Sequence, residues 1–155
     1  MAPEALTPLW LLHGVNLDML GRRDPALYGS LTLAELELMV ATAAGAHGFV
    51  VHAYHTNHEG DMVEKLHEIA REGAGAVIIN PGAWTHYSYA LRDALELVTA
   101  PVAEVHLSDI DNREEWRRVS VIADVVDVRV YGKGASGYLE ALEVLARLCA
   151  GRAQA

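Results

Sequence analysis

Short runs of Val, Ile, Leu and aromatic residues recur along the chain at Leu9–Leu12, Phe49–Tyr54, Ala76–Ile79, Val102–Leu107 and Val125–Tyr131. Segments of four to seven mostly apolar residues between polar or glycine-containing stretches have the length of buried strands rather than helices. Between them, apolar residues return every three or four positions over Thr32–Ala46, Gly60–Glu72, His86–Val98 and Gly137–Leu148, the period of an amphipathic helix. Leu33, Leu36, Val40 and Ala43–Ala44 form the stripe of the first, and Thr32 with Glu35 makes a capping box at its start. Met62, Val63, Leu66, Ile69 and Ala70 form the stripe of the second. After Asp109 the chain turns polar, and the pattern supports only short helices around Arg113–Arg118 and Ser120–Ala123.

Strands alternating with helices predict a parallel sheet covered on both faces. Right-handed crossovers then give a doubly wound α/β fold, flavodoxin-like with five strands. No linker, composition break or repeat divides the chain, so residues 1–155 are expected to form one catalytic domain with a core of about 9–148 and short flexible termini. In such sheets ligands bind beyond the carboxyl ends of the strands. The places to look are therefore just after Leu12, Tyr54, Ile79, Leu107 and Tyr131.

Composition narrows the classes. Twelve Lys+Arg against 21 Asp+Glu leave a net charge of −9, which argues against nucleic acid or anionic membrane as a partner. A 52% apolar, 21% charged chain is not disordered. Two stretches lack Asp, Glu, Lys and Arg, Leu38–His58 and Gly73–Leu91, but His, Asn, Thr and Ser within them forbid a membrane span. The N-terminus has no basic region of a signal peptide, and the lone Cys149 cannot form an intramolecular disulfide. A cytoplasmic location is expected.

Three strand ends carry candidate chemistry. The segment from His13 through Asn16, Gly21, Arg22, Arg23 and Pro25 to Tyr28 and Gly29 reads either as a functional lid or as an ordinary polar loop. Asn80-Pro-Gly82-Ala-Trp84-Thr85-His86 places Thr85 as a helix N-cap, where free N–H groups favour an anion such as a carboxylate, or simply a capped turn. Glu104 and His106 are two apart on the fourth strand and so share a face. A carboxylate there fixes the imidazole tautomer, which suits a general acid, although a buried ion pair without a catalytic role has the same spacing. Ser108 follows, then Arg113, Arg117 and Arg118, a local positive patch of a kind that binds carboxylates.

Two other signals carry less. Gly132-Lys-Gly134-Ala-Ser-Gly137 matches a dinucleotide fingerprint, but the 18 residues beyond it leave no room for the ribose-binding strand, so a tight turn is expected. His52, His55 and His58 are spaced three apart across a strand end, which turns them to opposite faces and disfavours a shared metal.

The ordered blocks around these positions resemble the type II 3-dehydroquinate dehydratases of the shikimate pathway. They are Gly14-Val-Asn16-Leu through Leu20-Gly-Arg-Arg23-Asp-Pro-Ala-Leu-Tyr28-Gly, Thr56-Asn-His-Glu-Gly60, Asn80 through His86 to Asp93, Glu104-Val-His106-Leu-Ser108 with Arg113 and Arg117, and the glycines up to Tyr138. The resemblance runs from about Leu9 to Leu148. It implies anti elimination of water from 3-dehydroquinate through an enolate, giving 3-dehydroshikimate, without metal or organic cofactor. It also implies a homo-oligomer, a dodecamer built from trimers. Carried over to this chain, Tyr28 is the base, and Arg23 is the opposite charge that favours its phenolate. Asn16 holds a water at the enolate oxygen, and His106, oriented by Glu104, protonates the departing hydroxyl. Asn80 and the amides around Leu107 and Ser108 bind the carboxylate, His86 and Arg117 hold hydroxyls, and Arg113 supports the loop or lid. Asp93, seven residues after His86, would lie roughly 10 Å further along one helix, too far for one small substrate to touch both. The resemblance sends Asp93 into a neighbouring subunit's site. His13, Val15, Asp18, Asp109, Asp111 and Val119 depart from the family's pattern, and the two acids after Ser108 bring extra negative charge. The same architecture would also serve a paralogue acting on a related cyclic hydroxy-keto acid, or a non-catalytic binding module.

Overall fold

The apolar runs become β1 (Thr7–His13), β2 (Phe49–His55), β3 (Ala76–Asn80), β4 (Val102–His106) and β5 (Val128–Tyr131). The structure, a computed structural model, describes residues 5–155. The expectations for the first four residues lie outside that range. All strand pairs are parallel, in the order β2-β1-β3-β4-β5. β3 and β4 have neighbours on both edges and helices over both faces, so every residue in them is buried; β3 is apolar up to Asn80, whereas Glu104 and His106 of β4 are buried polar groups that need partners.

Between the strands lie α1 (Pro25–Tyr28), α2 (Leu33–Gly45), α3 (Glu59–Glu72), α4 (Tyr89–Glu96) and α5 (Ser136–Ala153). The capping box is formed: Glu35 N–H donates to Thr32 Oγ1 at 3.2 Å, and Thr32 N–H to Glu35 Oε2 at 2.8 Å. Strand alternation divides the core into two layers. Leu11, Ile78 and Val105 meet Leu36 and Val40 of α2 and Leu142 and Leu145 of α5. Leu12, Val77 and Ile79 meet Met62 and Leu66 of α3 and Leu91 and Leu95 of α4. The result is a flavodoxin-like, doubly wound α/β domain.

Two boundaries differ from expectation. Val125 and Val126 are apolar because they pack on the α3–α4 layer, yet they belong to a turn in which Val125 N–H donates to the Ile122 carbonyl. Pairing with β4 starts only past Asp127, whose side chain accepts the Val102 N–H at 2.8 Å. The helix expected from His86 instead begins at Tyr89 with Ser88 as its cap, Ser88 Oγ accepting the Leu91 N–H at 3.0 Å. Thr85 is not a cap: it lies in a 3₁₀ turn over Gly82–His86 and is buried.

The glycine-rich turn after β5 bonds to the end of β4, Gly132 N–H to Ser108 O and Gly134 N–H to Leu107 O, both at 3.1 Å. Among the described residues no cluster of three His, Cys, Asp or Glu could hold a metal ion. No described helix is long and apolar enough to cross a membrane.

Candidate active site

The order of strands switches between β1 and β3, and their ends are held together by close backbone approach. Gly14 N–H donates to Asn80 O at 2.7 Å, and a Cβ on Gly14 would lie 2.4 Å from the Pro81 carbonyl oxygen, so only glycine passes here. The chain then turns at Asn16, the one non-glycine residue with positive φ (68°) among the described residues. Its N–H donates to Asn57 Oδ1 at 2.8 Å, and Asn57 Nδ2 donates to Asp18 Oδ2 at 3.2 Å. Asn57 therefore fixes the loop that carries Asn16. The sequence block containing Asn57 was visible, but no role for it could be read before β1 and β2 were known to be neighbours.

Tyr28 ends α1, a single turn capped by Asp24, whose Oδ1 accepts the Ala26 N–H at 3.0 Å. Two guanidinium groups hold the phenol. Arg23 Cζ lies 3.7 Å from the centre of the ring, and Arg113 NH1 donates to the phenol oxygen at 2.8 Å and to Ser108 Oγ at 3.2 Å. Arg113, expected only as a support for the lid, is thus the cation that touches the oxygen, while Arg23 lies over the ring face.

At the end of β4, His106 Nε2 is 2.7 Å from Glu104 Oε1. Glu104 is fully buried and also accepts hydrogen bonds from Thr85 Oγ1, from Ser120 Oγ at 3.0 Å and from Arg129 Nε at 2.9 Å. Burial pushes its pKa up, but His106, Thr85 and Arg129 outweigh that and hold it at about 2. An ionised carboxylate only accepts, so Nε2 of His106 carries a proton toward it and Nδ1 is the nitrogen free for chemistry.

His86 is fixed in the complementary way. Its Nδ1 lies 2.7 Å from Val119 O, a carbonyl that can only accept, so the proton is on Nδ1 and Nε2 is an acceptor. Burial is the largest influence on its pKa, and with the nearby charges of His106 and Arg117 it pushes the value down, which keeps the ring neutral. Because Val119 contributes its carbonyl, its side-chain departure from the family pattern leaves this bond unaffected. Asn80 is buried between Tyr138 Oη, to which its Nδ2 donates at 3.0 Å, and the Gly82 N–H, which its Oδ1 accepts at 3.1 Å.

These groups surround one cleft of about 530 Å³ that opens to solvent. Asn16, Arg23, Tyr28, Asn80, His86, His106, Leu107, Ser108 and Arg117 all line it, as does Arg113. Glu104 lies beneath His106 rather than on the cleft wall. Asp93 is exposed on α4 and outside the cleft of its own chain, and it does not share a helix with His86. Asp109 and Asp111 are also off the cleft wall. The first binds Asn112 Nδ2 at 2.5 Å and the second accepts from Tyr131 Oη at 2.8 Å.

A family model described as dehydroquinase class II matches residues 7–146. The chain belongs to the class II dehydroquinase family. It is 48% identical to the 3-dehydroquinate dehydratase of Syntrophotalea carbinolica over 83% of this chain and 86% of the relative. With that of Pelotomaculum thermopropionicum it shares 49% identity, over 90% of this chain and 96% of the other. The crystal structure of the type II dehydroquinase from Butyrivibrio crossotus superposes with a TM-score of 0.88 at 36% identity, covering 92% and 99% of the two chains. In open parallel sheets ligands generally bind beyond the carboxyl ends of the strands at the switch in strand order, and this cleft lies at that place.

Proposed function

We propose that this dehydroquinase removes the proton beside the substrate carbonyl with Tyr28 and returns a proton to the departing hydroxyl from His106. The overall reaction is that of the family: a type II 3-dehydroquinate dehydratase, a hydro-lyase of the shikimate pathway. The observation that carries the assignment of roles is the arrangement of one cleft. A phenol oxygen is held by a guanidinium at 2.8 Å, and an imidazole in the same cleft is tied at 2.7 Å to a buried carboxylate.

The remaining roles follow from charge and hydrogen-bonding capacity. Arg113 donates to the Tyr28 oxygen and Arg23 lies over its ring, so two positive charges face the group that takes the proton. Deprotonation beside the carbonyl leaves an enolate, and Asn16 holds a water against its oxygen. Asn80 keeps one amide hydrogen beyond its bond to Tyr138 and offers it, with the Leu107 and Ser108 amides, to the substrate carboxylate. Neutral His86 accepts from a hydroxyl at Nε2, and Arg117 donates to another. His106, its Nε2–H held by Glu104, acts as the imidazolium: it gives the Nδ1 proton to the leaving oxygen, water departs, and the ring is left neutral.

The exposure of Asp93 on α4 supports its reaching a neighbouring subunit's cleft in trimers that assemble as a dodecamer. The whole chain then acts as one catalytic domain, in a reducing cytoplasm where Cys149 stays a thiol. The direct test follows the ultraviolet absorbance of the conjugated product when purified protein meets 3-dehydroquinate without added metal or nucleotide. A steady rise is expected, reduced about 10²-fold or more in His106→Asn. No rise with the native protein, or an undiminished rise in the variant, would overturn the assignment.

A further inference from the structure

Glu104 has more partners than orienting one imidazole requires. Sorted by oxygen, Oε1 takes His106, Thr85 and Ser120, while Oε2 takes Ser120 and Arg129. Arg129 stands opposite Glu104 in the β4–β5 ladder, so strand pairing itself turns the two side chains to one face of the sheet. Its Nε reaches Oε2 at 2.9 Å, and the Tyr131 ring lies 5.3 Å from its Cζ. Arg129 is not among the residues lining the substrate cleft.

The charges around Glu104 come from three elements. His106 is on β4, Arg129 on β5, and His86 in the 3₁₀ turn after β3. Thr85 and Ser120 present only hydroxyls. Of these groups His86 is neutral, and His106 changes charge when it gives up its proton. Arg129 alone stays positive through the whole cycle, because a guanidinium is not deprotonated in a protein. A buried carboxylate without a fixed counter-charge is strongly unfavourable. Left alone at the moment His106 becomes neutral, it would compete for the Nε2 proton and release the ring from its orientation.

We propose that Arg129 is a positioning residue for proton transfer: by holding Oε2 it keeps Glu104 ionised and Oε1 turned to His106 in both protonation states of the imidazole. The inference rests on the reading of His106 as the acid, and the two can be separated by a double-mutant cycle. Turnover of 3-dehydroquinate is measured for wild type, Arg129→Met, Arg129→Lys, Glu104→Gln and the Met/Gln double variant, alongside the ¹⁵N shifts of the histidine rings. Arg129→Met is expected to lower kcat about tenfold or more with KM within about twofold, and to shift the His106 ring signals away from a single Nε2–H tautomer. Arg129→Lys is expected to recover most of kcat, and Arg129→Met to add little once Glu104 is already Gln. Wild-type kcat in Arg129→Met, or an equal loss with and without the Glu104 carboxylate, would overturn the proposal while leaving the acid reading intact. Undiminished kcat in Glu104→Gln would overturn the proposal too, whereas undiminished turnover in His106→Asn would remove the acid reading beneath it. If Arg129→Met does not fold, Arg129→Gln takes its place in the same cycle.

Discussion

At the scale of single residues, the chemistry depends on which atoms meet across long stretches of chain. Tyr28 and Arg113 are 85 positions apart, and their 2.8 Å bond exists because the lid after β1 and the loop after β4 rise from strands of the same sheet. Arg113→Gln is therefore expected to lower kcat by about tenfold to a hundredfold while the protein keeps its melting temperature, a loss comparable with that of Arg23→Gln. Steady-state kinetics of the two variants side by side check this. Retention of full kcat in Arg113→Gln would return it to a supporting part. The types of residue at the site were legible from the sequence: Glu104 and His106 share a strand face by spacing alone, and Tyr28 and Arg23 came through the family resemblance. The division of labour between Arg23 and Arg113 was not, because a guanidinium over a ring and one on its oxygen look alike along a chain.

At the scale of elements, local signals were reliable where the chemistry is local. Thr32 and Glu35 announced the start of α2 and form both bonds of the box, so Thr32→Ala is expected to cost about 1 kcal/mol in a denaturant titration, with kcat unchanged. The pattern failed where tertiary packing supplies the apolar positions. Val125 and Val126 are buried without being in a strand, and Thr85 is a ligand of Glu104 rather than a cap. The junction of β1, β2 and α2 adds a pH dependence. His13 is fully buried, and its burial, with His55 beside it, pushes its pKa down to about 3. Below pH ~6.5 the unfolded chain binds a proton at this residue that the folded chain refuses until about 3, so stability declines as pH falls through that window, by up to ~1.4 kcal/mol per unit. Glu104, held at about 2, adds a loss in the same direction only below pH ~4.5. Melting curves between pH 7 and pH ~4.5 should thus be flatter for His13→Asn than for wild type, with the smaller contribution of His86 remaining. Parallel curves would show that His13 does not set the slope.

At the scale of the whole molecule, alternating strands and helices made the doubly wound sheet legible, and with it the end of the sheet where ligands bind. Subunit arrangement is a property of surfaces, and Asp93 was placed in a neighbour's site by resemblance rather than by pattern. If each site combines Tyr28 of one chain with Asp93 of the next, Asp93→Ala and Tyr28→Phe are each impaired alone. Dissociated and reassembled together in equal amounts, they should regain about a quarter of native sites. No recovery on mixing would place Asp93 outside the neighbouring cleft. The most direct test of the central claim separates the two proton transfers by following α-hydrogen exchange of 3-dehydroquinate in D₂O against an enzyme-free control. His106→Asn should still load deuterium beside the carbonyl without forming product, whereas Tyr28→Phe should do neither. Exchange that survives in Tyr28→Phe and vanishes in His106→Asn would mean that the base and the acid have been assigned the wrong way round.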